Sequence, residues 1–185
     1  MKKLYILLIT VVIVIGLTGC KEEPIVAPDI YYINNTEARL MCTGQELFNI
    51  LDEPAFMEES LDSELDANQD INLYTDDNSA CFTLSNVYDT PIRVRECFVT
   101  RVVSVNPSDN NNIKFAGEST VGAKIDMGLL LNDIGVEPTR SFDGITQFYV
   151  FDTFVDDDDA IHIEITTEDE EITRIGLSII FESAI

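Results

Sequence analysis

The side chains with the clearest potential for acid–base chemistry are His162 and Glu164. His162 is the single histidine of the 185-residue chain, and it lies on the polar face of a predicted strand beside Glu164. One histidine cannot build a zinc site of several imidazoles, and no nucleophile is paired with it by spacing. The stretch Gly117-Glu118-Ser119-Thr120-Val121 begins like a nucleophile elbow, but Val121 stands where the closing glycine belongs. We therefore predict an ordinary turn there and no catalytic residue.

A second candidate is a metal site in the segment around residue 68. Asp66, Asn68 and Asp70 place oxygen ligands at every second residue, as calcium loops do. Such loops need glycine at the sixth position, where Ile71 stands, so these three residues are weak candidate ligands.

Two runs of carboxylates also join predicted strands. The runs are Asp156-Asp157-Asp158-Asp159 and Glu168-Asp169-Glu170-Glu171. Adjacent carboxylates point in different directions, which favours solvated loops over an ion site. If the strands are neighbours, however, the loops would lie close together and a divalent ion would relieve their repulsion. Asp156, Asp157, Asp158 and Asp159 are therefore candidate metal ligands, and no cofactor is predicted.

The internal cysteines, Cys42, Cys81 and Cys97, leave two interpretations open. Their spacing contains no CxxC pair and selects no bridge. They are either three small buried side chains or one disulfide with a free thiol, which an extracytoplasmic location would permit.

The charge balance excludes one class of partner. The chain carries 11 basic and 34 acidic residues, a net charge of −23, and the acidity is divided evenly between its two halves. Such a surface is repelled by nucleic acid. Arg93, Arg95 and Arg101 fall in one predicted strand segment, where we expect them to neutralise neighbouring acidic side chains.

The N-terminus reads as an export signal. Lys2 and Lys3 precede an apolar run at residues 4–15, followed by Leu17-Thr18-Gly19-Cys20. Residues 4–18 are short for a membrane span, which takes roughly 17–25 residues. An uncleaved spanning helix is the alternative, and it too would place the remainder outside the cytoplasm.

The four residues Leu17-Thr18-Gly19-Cys20 resemble the lipobox of bacterial lipoprotein signal peptides. The resemblance implies cleavage after residue 19, lipidation at Cys20 and an extracytoplasmic domain anchored to a bacterial cell membrane. Residues 1–19 would be the signal peptide and residues 20–29 a short extended tether.

The elements that must position these side chains are short strands and two helices. A capping box at Thr43-Gly44-Gln45-Glu46 predicts one helix. Apolar residues at helical spacing predict the second helix over 127–134, with Gly135 as its C-cap. Alternating apolar residues predict strands at 71–74, 81–87, 92–105, 145–151, 161–166 and 172–180. The turn-forming run 106–112 is the strongest internal break.

These elements predict an α+β fold of two similar helix-plus-antiparallel-sheet units in tandem. The first unit would cover residues 30–105 and the second residues 113–185, with residues 106–112 as the linker. In the second unit, Gly122 and Met127 begin an apolar helix, Gly135 and Pro138 end it, and Phe148-Tyr149-Val150 follows.

This order resembles the helix-then-sheet unit of outer-membrane-assembly-type lipoproteins and the tandem units of the β-lactamase inhibitor protein. The resemblance implies a scaffold for protein–protein contact without catalytic residues. We therefore expect a non-enzymatic, membrane-anchored lipoprotein that binds a protein or peptide partner. The alternative is an acidic domain that binds cations or a cationic ligand.

Overall fold

The computed structural model describes residues 29–51, 61–75, 77–107, 111–154 and 159–181. The predicted signal peptide, Cys20 and the predicted tether up to residue 28 lie outside the described residues. Residues 108–110 of the predicted linker also lie outside them, and the predicted domain boundaries remain a prediction.

Short strands dominate the described chain. The strands are β1 Ile30–Ile33, β2 Thr36–Arg39, β3 Glu64–Leu65, β4 Asp70–Tyr74, β5 Ala80–Ser85, β6 Ile92–Arg93, β7 Phe98–Ser104, β8 Ile113–Lys114, β9 Thr139–Asp143, β10 Thr146–Phe154, β11 Asp159–Glu168 and β12 Glu171–Phe181. The α-helices are α1 Gly44–Ile50 and α2 Met127–Ile134, and single 3₁₀ turns lie at Val94–Glu96 and Ala116–Glu118.

One large antiparallel sheet organises these strands. It has seven strands in the order β4-β5-β7-β12-β11-β10-β9. A three-stranded sheet, β2-β1-β8, and a two-stranded sheet, β3-β6, accompany it. Strands from both halves of the sequence meet in the large sheet, because β7 pairs with β12. The same happens in the three-stranded sheet, where β1 pairs with β8.

The predicted α+β fold of two helix-plus-sheet units is therefore wrong. The described chain is mostly strand, and its large sheet is continuous across the two predicted units. The physical reason is the size of the helices. An eight-residue helix is about 12 Å long, whereas a ten-residue strand spans about 33 Å. Neither helix can cover a sheet alone, so both halves contribute strands to one sheet and share one core.

That core lies on one face of the large sheet, which we call the inner face. Ile161, Ile163 and Ile165 of β11 are buried there, as their alternation predicts, and so are Phe82 and Val102 of neighbouring strands. Side chains from both helices and the three-stranded sheet complete the same cluster, among them Leu47, Leu130, Ile134, Tyr31 and Ile113. The opposite face, which we call the outer face, carries the polar residues that alternate with these isoleucines on β11, namely His162, Glu164 and Thr166.

Both predicted helices are confirmed, together with the predicted start of α1 and the predicted end of α2. At the start of α1, the Thr43 hydroxyl accepts from the Glu46 amide, and the Glu46 carboxylate accepts from the Thr43 amide at 2.8 Å. In α2, the Asp126 carboxylate accepts from two amides of the first turn. The helix ends at Gly135, whose φ of 77° is left-handed.

Several strands differ from the prediction, and β3 at Glu64–Leu65 was not predicted. The single strand predicted over 92–105 is broken by the 3₁₀ turn Val94–Glu96, which separates β6 from β7. The whole of β9 was missed, because Thr139–Asp143 shows no apolar alternation and all five of its residues are exposed.

The acidic turn between β11 and β12 is strained. Asp169 and Glu170 both have left-handed backbones, with φ values of 50° and 69°. Two successive positive φ values define a type I′ hairpin turn, which favours Asn-Gly. The flanking residues, Glu168 and Glu171, are paired directly opposite each other, and such like-charge pairs destabilise a sheet.

We predict that Glu170→Gly raises the free energy of unfolding by about 1 kcal/mol, since glycine adopts this φ without steric cost. Urea denaturation of the two proteins measures the difference. Glu171→Gly removes the same charge from a strand position, where glycine is expected to destabilise. If both variants change stability equally, charge and not backbone strain is the cause.

Candidate binding surface

A row of polar side chains crosses the outer face of the large sheet. Strand pairing places its members directly opposite one another over six strands, from β4 to β10. In sheet order they are Asn72, Thr83, Arg101, Ser178, His162 and Asp152.

His162 lies between two carboxylates in this row. Its Nδ1 is 2.6 Å from Asp152 Oδ1 on β10, and its Nε2 is 3.4 Å from Glu164 Oε1 on its own strand. The predicted position of His162, on the polar face beside Glu164, is confirmed. Asp152 was not recognised from sequence, because its place opposite His162 depends on the register of β10 and β11.

Glu164 connects the histidine to two arginines. Its Oε2 accepts from Arg174 Nη1 at 3.1 Å and lies 3.7 Å from Arg101 Nη2. Partial burial raises the pKa of the Glu164 carboxyl, but the hydrogen bond and charge of Arg174 and the contact with His162 outweigh it, so its pKa is lowered from the ordinary value of 4.5. The predicted neutralising role of Arg101 is confirmed by this contact.

The network has the charges for proton transfer but not the geometry for nucleophilic catalysis. A serine or cysteine nucleophile must be hydrogen-bonded to the free nitrogen of a carboxylate-oriented histidine. Here the second ring nitrogen faces Glu164 instead. Ser178 is opposite His162 in the register, yet among the described contacts no hydrogen bond joins the two side chains. We interpret the network as charge neutralisation on an open sheet face.

The predicted metal ligands near residue 68 belong to an ordered loop. The amide of Asn68 donates to the Asn86 carbonyl at 3.1 Å. The Asn86 side chain donates in turn to the carbonyls of Leu65, Asp66 and Thr90 at 2.9–3.1 Å. Asn86 therefore shapes this loop, and nothing in the sequence marks it for that role.

No metal centre is assembled by the side chains that the structure describes. Within those residues, no group of three or more His, Cys, Asp or Glu side chains is arranged to hold an ion. Asn68 and Asp70 line an open cavity of about 480 Å³ together with Ile179 and Phe181. Of the acidic loop, Asp156, Asp157 and Asp158 lie outside the described residues, and Asp159 is the first residue of β11.

All three internal cysteines are free thiols in the structure. Cys97 is buried, and Cys42 lies 3.9 Å from the Tyr31 hydroxyl. Burial is the main cause that raises the pKa of each thiol. The thiols are thus kept protonated, which makes them poor nucleophiles.

A cleft of about 490 Å³ lies between the three-stranded sheet and α2. Tyr32, Phe115 and Leu129 form part of its apolar lining. Two of its charged groups already have partners: Lys114 Nζ donates to Asn35 at 3.1 Å, and the Asp133 carboxylate accepts from the Gly117 amide at 2.7 Å.

The two most exposed large apolar side chains of the described residues lie at one corner of the large sheet. They are Phe142 on β9, 68% exposed, and Ile145 in the following turn, 62% exposed, and Phe148 on β10 lies next to them in the hairpin and is 37% exposed. We call these three residues the β9 corner. In the sequence, Phe148 is marked only as part of an aromatic strand. The exposure of the corner could not be predicted, because it depends on β9 being the last strand of the sheet.

The acidic turn lies at the same end of the sheet as the β9 corner. Thr146, which follows Ile145, is paired with Glu168, and Glu168 with Glu171. All four residues of the run Glu168-Asp169-Glu170-Glu171 are exposed. An apolar corner is thus placed beside a solvated cluster of carboxylates.

Comparison of the chain with protein-family models, with curated proteins and with solved structures finds no match. Among the described residues, no helix is long and apolar enough to cross a membrane.

We predict that Glu164→Gln lowers the free energy of unfolding by about 0.5–1 kcal/mol near neutral pH, since two arginines then lose their shared carboxylate. Because the folded-state pKa of Glu164 is lowered, its contribution is present above about pH 4.5 and is lost as the pH falls through the folded value. Urea denaturation across this range should show the difference between wild type and variant shrinking on acidification.

Glu37→Gln is the matched control for this measurement. Glu37 contacts Arg39 at 3.4 Å, but both side chains are more than half exposed. A loss as large in Glu37→Gln as in Glu164→Gln, or a difference that does not depend on pH, would contradict a specific role for the Glu164 network.

Proposed function

We propose that this chain is an extracytoplasmic lipoprotein, acylated at Cys20, that binds a protein or peptide partner and performs no catalysis. The anchor rests on the resemblance of Leu17-Thr18-Gly19-Cys20 to a lipobox. The binding role is carried by one observation, which is the exposure of the β9 corner at the edge of the large sheet.

The β9 corner is an unfavourable surface for a protein to leave in water. Covering apolar surface gains roughly 25 cal/mol for each Å² removed from water, and two of its three side chains are more than 60% exposed. Phe142 lies on the inner side of the sheet and Phe148 on the outer face, so the corner presents apolar groups on both sides of the sheet edge. Polar residues surround it, since the acidic turn lies at the same end of the sheet and the other residues of β9 are polar.

The network around His162 supports a binding role over catalysis. Its carboxylates and arginines neutralise one another, and among the described contacts the histidine has no nucleophile as partner. These charges join β7, β10, β11 and β12 across the outer face of the sheet.

The alternative function, a domain for cations or cationic ligands, is favoured by the exposed carboxylates of the acidic turn. Their repulsion would be relieved by a positively charged partner. Binding through these charges alone would be lost in salt, whereas burial of the β9 corner would persist.

We expect the mature protein, isolated from bacterial membranes, to begin with an acylated Cys20. Mass spectrometry of the N-terminal peptide measures this directly. Cys20→Ser should retain residues 1–19 and yield no acylated peptide. A wild-type N-terminus at any other residue would contradict lipidation.

We also expect a photo-crosslinking side chain at position 145 to capture a partner protein in intact cells. The same group at Glu37, which is exposed on β2, is the control and should capture none. Phe142→Ser should reduce the yield at 145 by about tenfold or more, because burying a phenylalanine contributes about 1.5–3 kcal/mol. Equal yields at 37 and 145 would overturn this role of the corner.

A further inference from the structure

We infer that β9 accepts an extended, basic segment of the partner protein as an additional strand of the large sheet. The inference rests on the proposed function and names the partner's chemistry at the same site.

The edge of the large sheet at β9 is open among the described residues. β9 is the terminal strand and pairs only with β10 among the strands that the structure describes. All five residues of β9 are exposed. An edge strand presents unpaired N–H and C=O groups that serve as a template for another strand.

Every second residue of β9 has its N–H and C=O groups free to pair with an added strand. Asp143 is paired with Thr146 across the two-residue turn Gly144-Ile145. In such a hairpin the pair that closes the turn is hydrogen-bonded, and the bonding alternates along the strand. Asp143 and Ser141 therefore face β10, and Arg140 and Phe142 direct their N–H and C=O groups to the open side.

β9 lacks two of the usual protections of an edge, a proline and a bulge. Natural edges are blunted by proline, by bulges or by charged side chains that project along them. β9 contains no proline, and its pairing with β10 is regular over all five residues. Its one cation, Arg140, is placed over the Tyr149 ring, with 5.6 Å from the guanidinium carbon to the ring centre.

The side chains beside this edge fit a strand. Ser141 is paired with Phe148, which lies on the outer face, whereas Phe142 alternates to the inner side. The side chains of a strand alternate in the same way. An added strand would therefore contact Phe142 with one set of side chains and Ser141, near Phe148, with the other.

Charge selects a basic occupant. Asp143 lies on this edge, and the four carboxylates of the acidic turn lie at the same end of the sheet, with β10 between them and β9. The nearby cations are Arg140 and Lys124, the latter bridged through its backbone to Glu171. The net charge of −23 also disfavours a second copy of this chain. A partner strand bearing lysine or arginine gains attraction where another acidic strand is repelled.

The test uses the full-length, acylated protein in detergent micelles. The probe is a ten-residue peptide of alternating lysine and valine with a fluorescent label, followed by anisotropy. We expect this peptide to bind, and its counterpart with glutamate in place of lysine not to bind. N-methylation of the central amides keeps the charge but removes the donors, and should weaken binding by about tenfold or more.

A matched pair of variants tests the open edge itself. Arg140→Ala and Arg140→Pro lose the same charge, but only the proline variant loses the outward N–H donor. An edge strand tolerates proline at such a position. We expect Arg140→Pro to bind the basic peptide about threefold to tenfold more weakly than Arg140→Ala. Urea denaturation verifies that both variants are folded.

Hydrogen exchange localises the contact. The amides of Arg140 and Phe142 should exchange more slowly with the basic peptide bound, and the amide of Asn72 on the opposite edge strand β4 should not change. Equal binding of the basic and acidic peptides, equal binding after N-methylation, or unchanged exchange at Arg140 and Phe142 overturns strand addition.

The strand-addition inference and the proposed binding function can be contradicted by different results. Those negative results leave the crosslinking at position 145 unaffected, so the corner could still bind a folded surface. Failure to crosslink any partner at 145 overturns the proposed function, even when the synthetic peptide pairs with β9.

Discussion

The pairing of β7 with β12 is the contact on which the rest of the structure depends. It joins β4, β5 and β7 from the first half of the sequence to β9–β12 from the second half, so that all seven strands form one sheet. Only through this pairing do the apolar faces of β5 and β7 become continuous with those of β11 and β12. The two short helices then cover a common core, which neither could cover on its own. The loop-closure entropy of this long-range pairing is offset by burial along the whole inner face.

The same pairing determines the chemistry of the outer face. Arg101 of β7 comes within 3.7 Å of Glu164 of β11 only because β12 lies between their strands with this register. Positive side chains are scarce in a chain of net charge −23, and two of them are concentrated around one carboxylate at the centre of the sheet. Four exposed carboxylates also lie together in the acidic turn, at the same end of the sheet as the β9 corner.

The local parts of this structure could be predicted from sequence, and the long-range parts could not. The capping box at Thr43 and the left-handed Gly135 are encoded within a few residues, so the start of α1 and the end of α2 were found. The alternation of Ile161, Ile163 and Ile165 likewise predicted β11 and its buried face. Strand order and register have no such local signature. The fold class was therefore wrong, and the contact of His162 with Asp152 was missed.

The β9 edge was missed for a different reason. A strand buried on neither face needs no apolar alternation, so Thr139–Asp143 looks like a loop in sequence. Its conformation is imposed by β10 and the turn at Gly144. For the same reason the β9 corner could not be recognised: exposure of Phe142 is a property of the sheet's boundary. The metal-ligand pattern at Asp66, Asn68 and Asp70 has a simpler explanation as a loop bonded to Asn86.

The carboxylates at the end of the large sheet also have a consequence for the protein's behaviour in concentrated solution. An open strand edge with apolar neighbours is a hazard, because identical edges can join and extend into fibrils. Here every copy presents the same negative field at that edge, which acts as a colloidal barrier between copies. The barrier has a range of about 8 Å at physiological ionic strength and shrinks to about 3 Å in molar salt. The open edge and the negative charge near it thus act in opposite directions on association between copies.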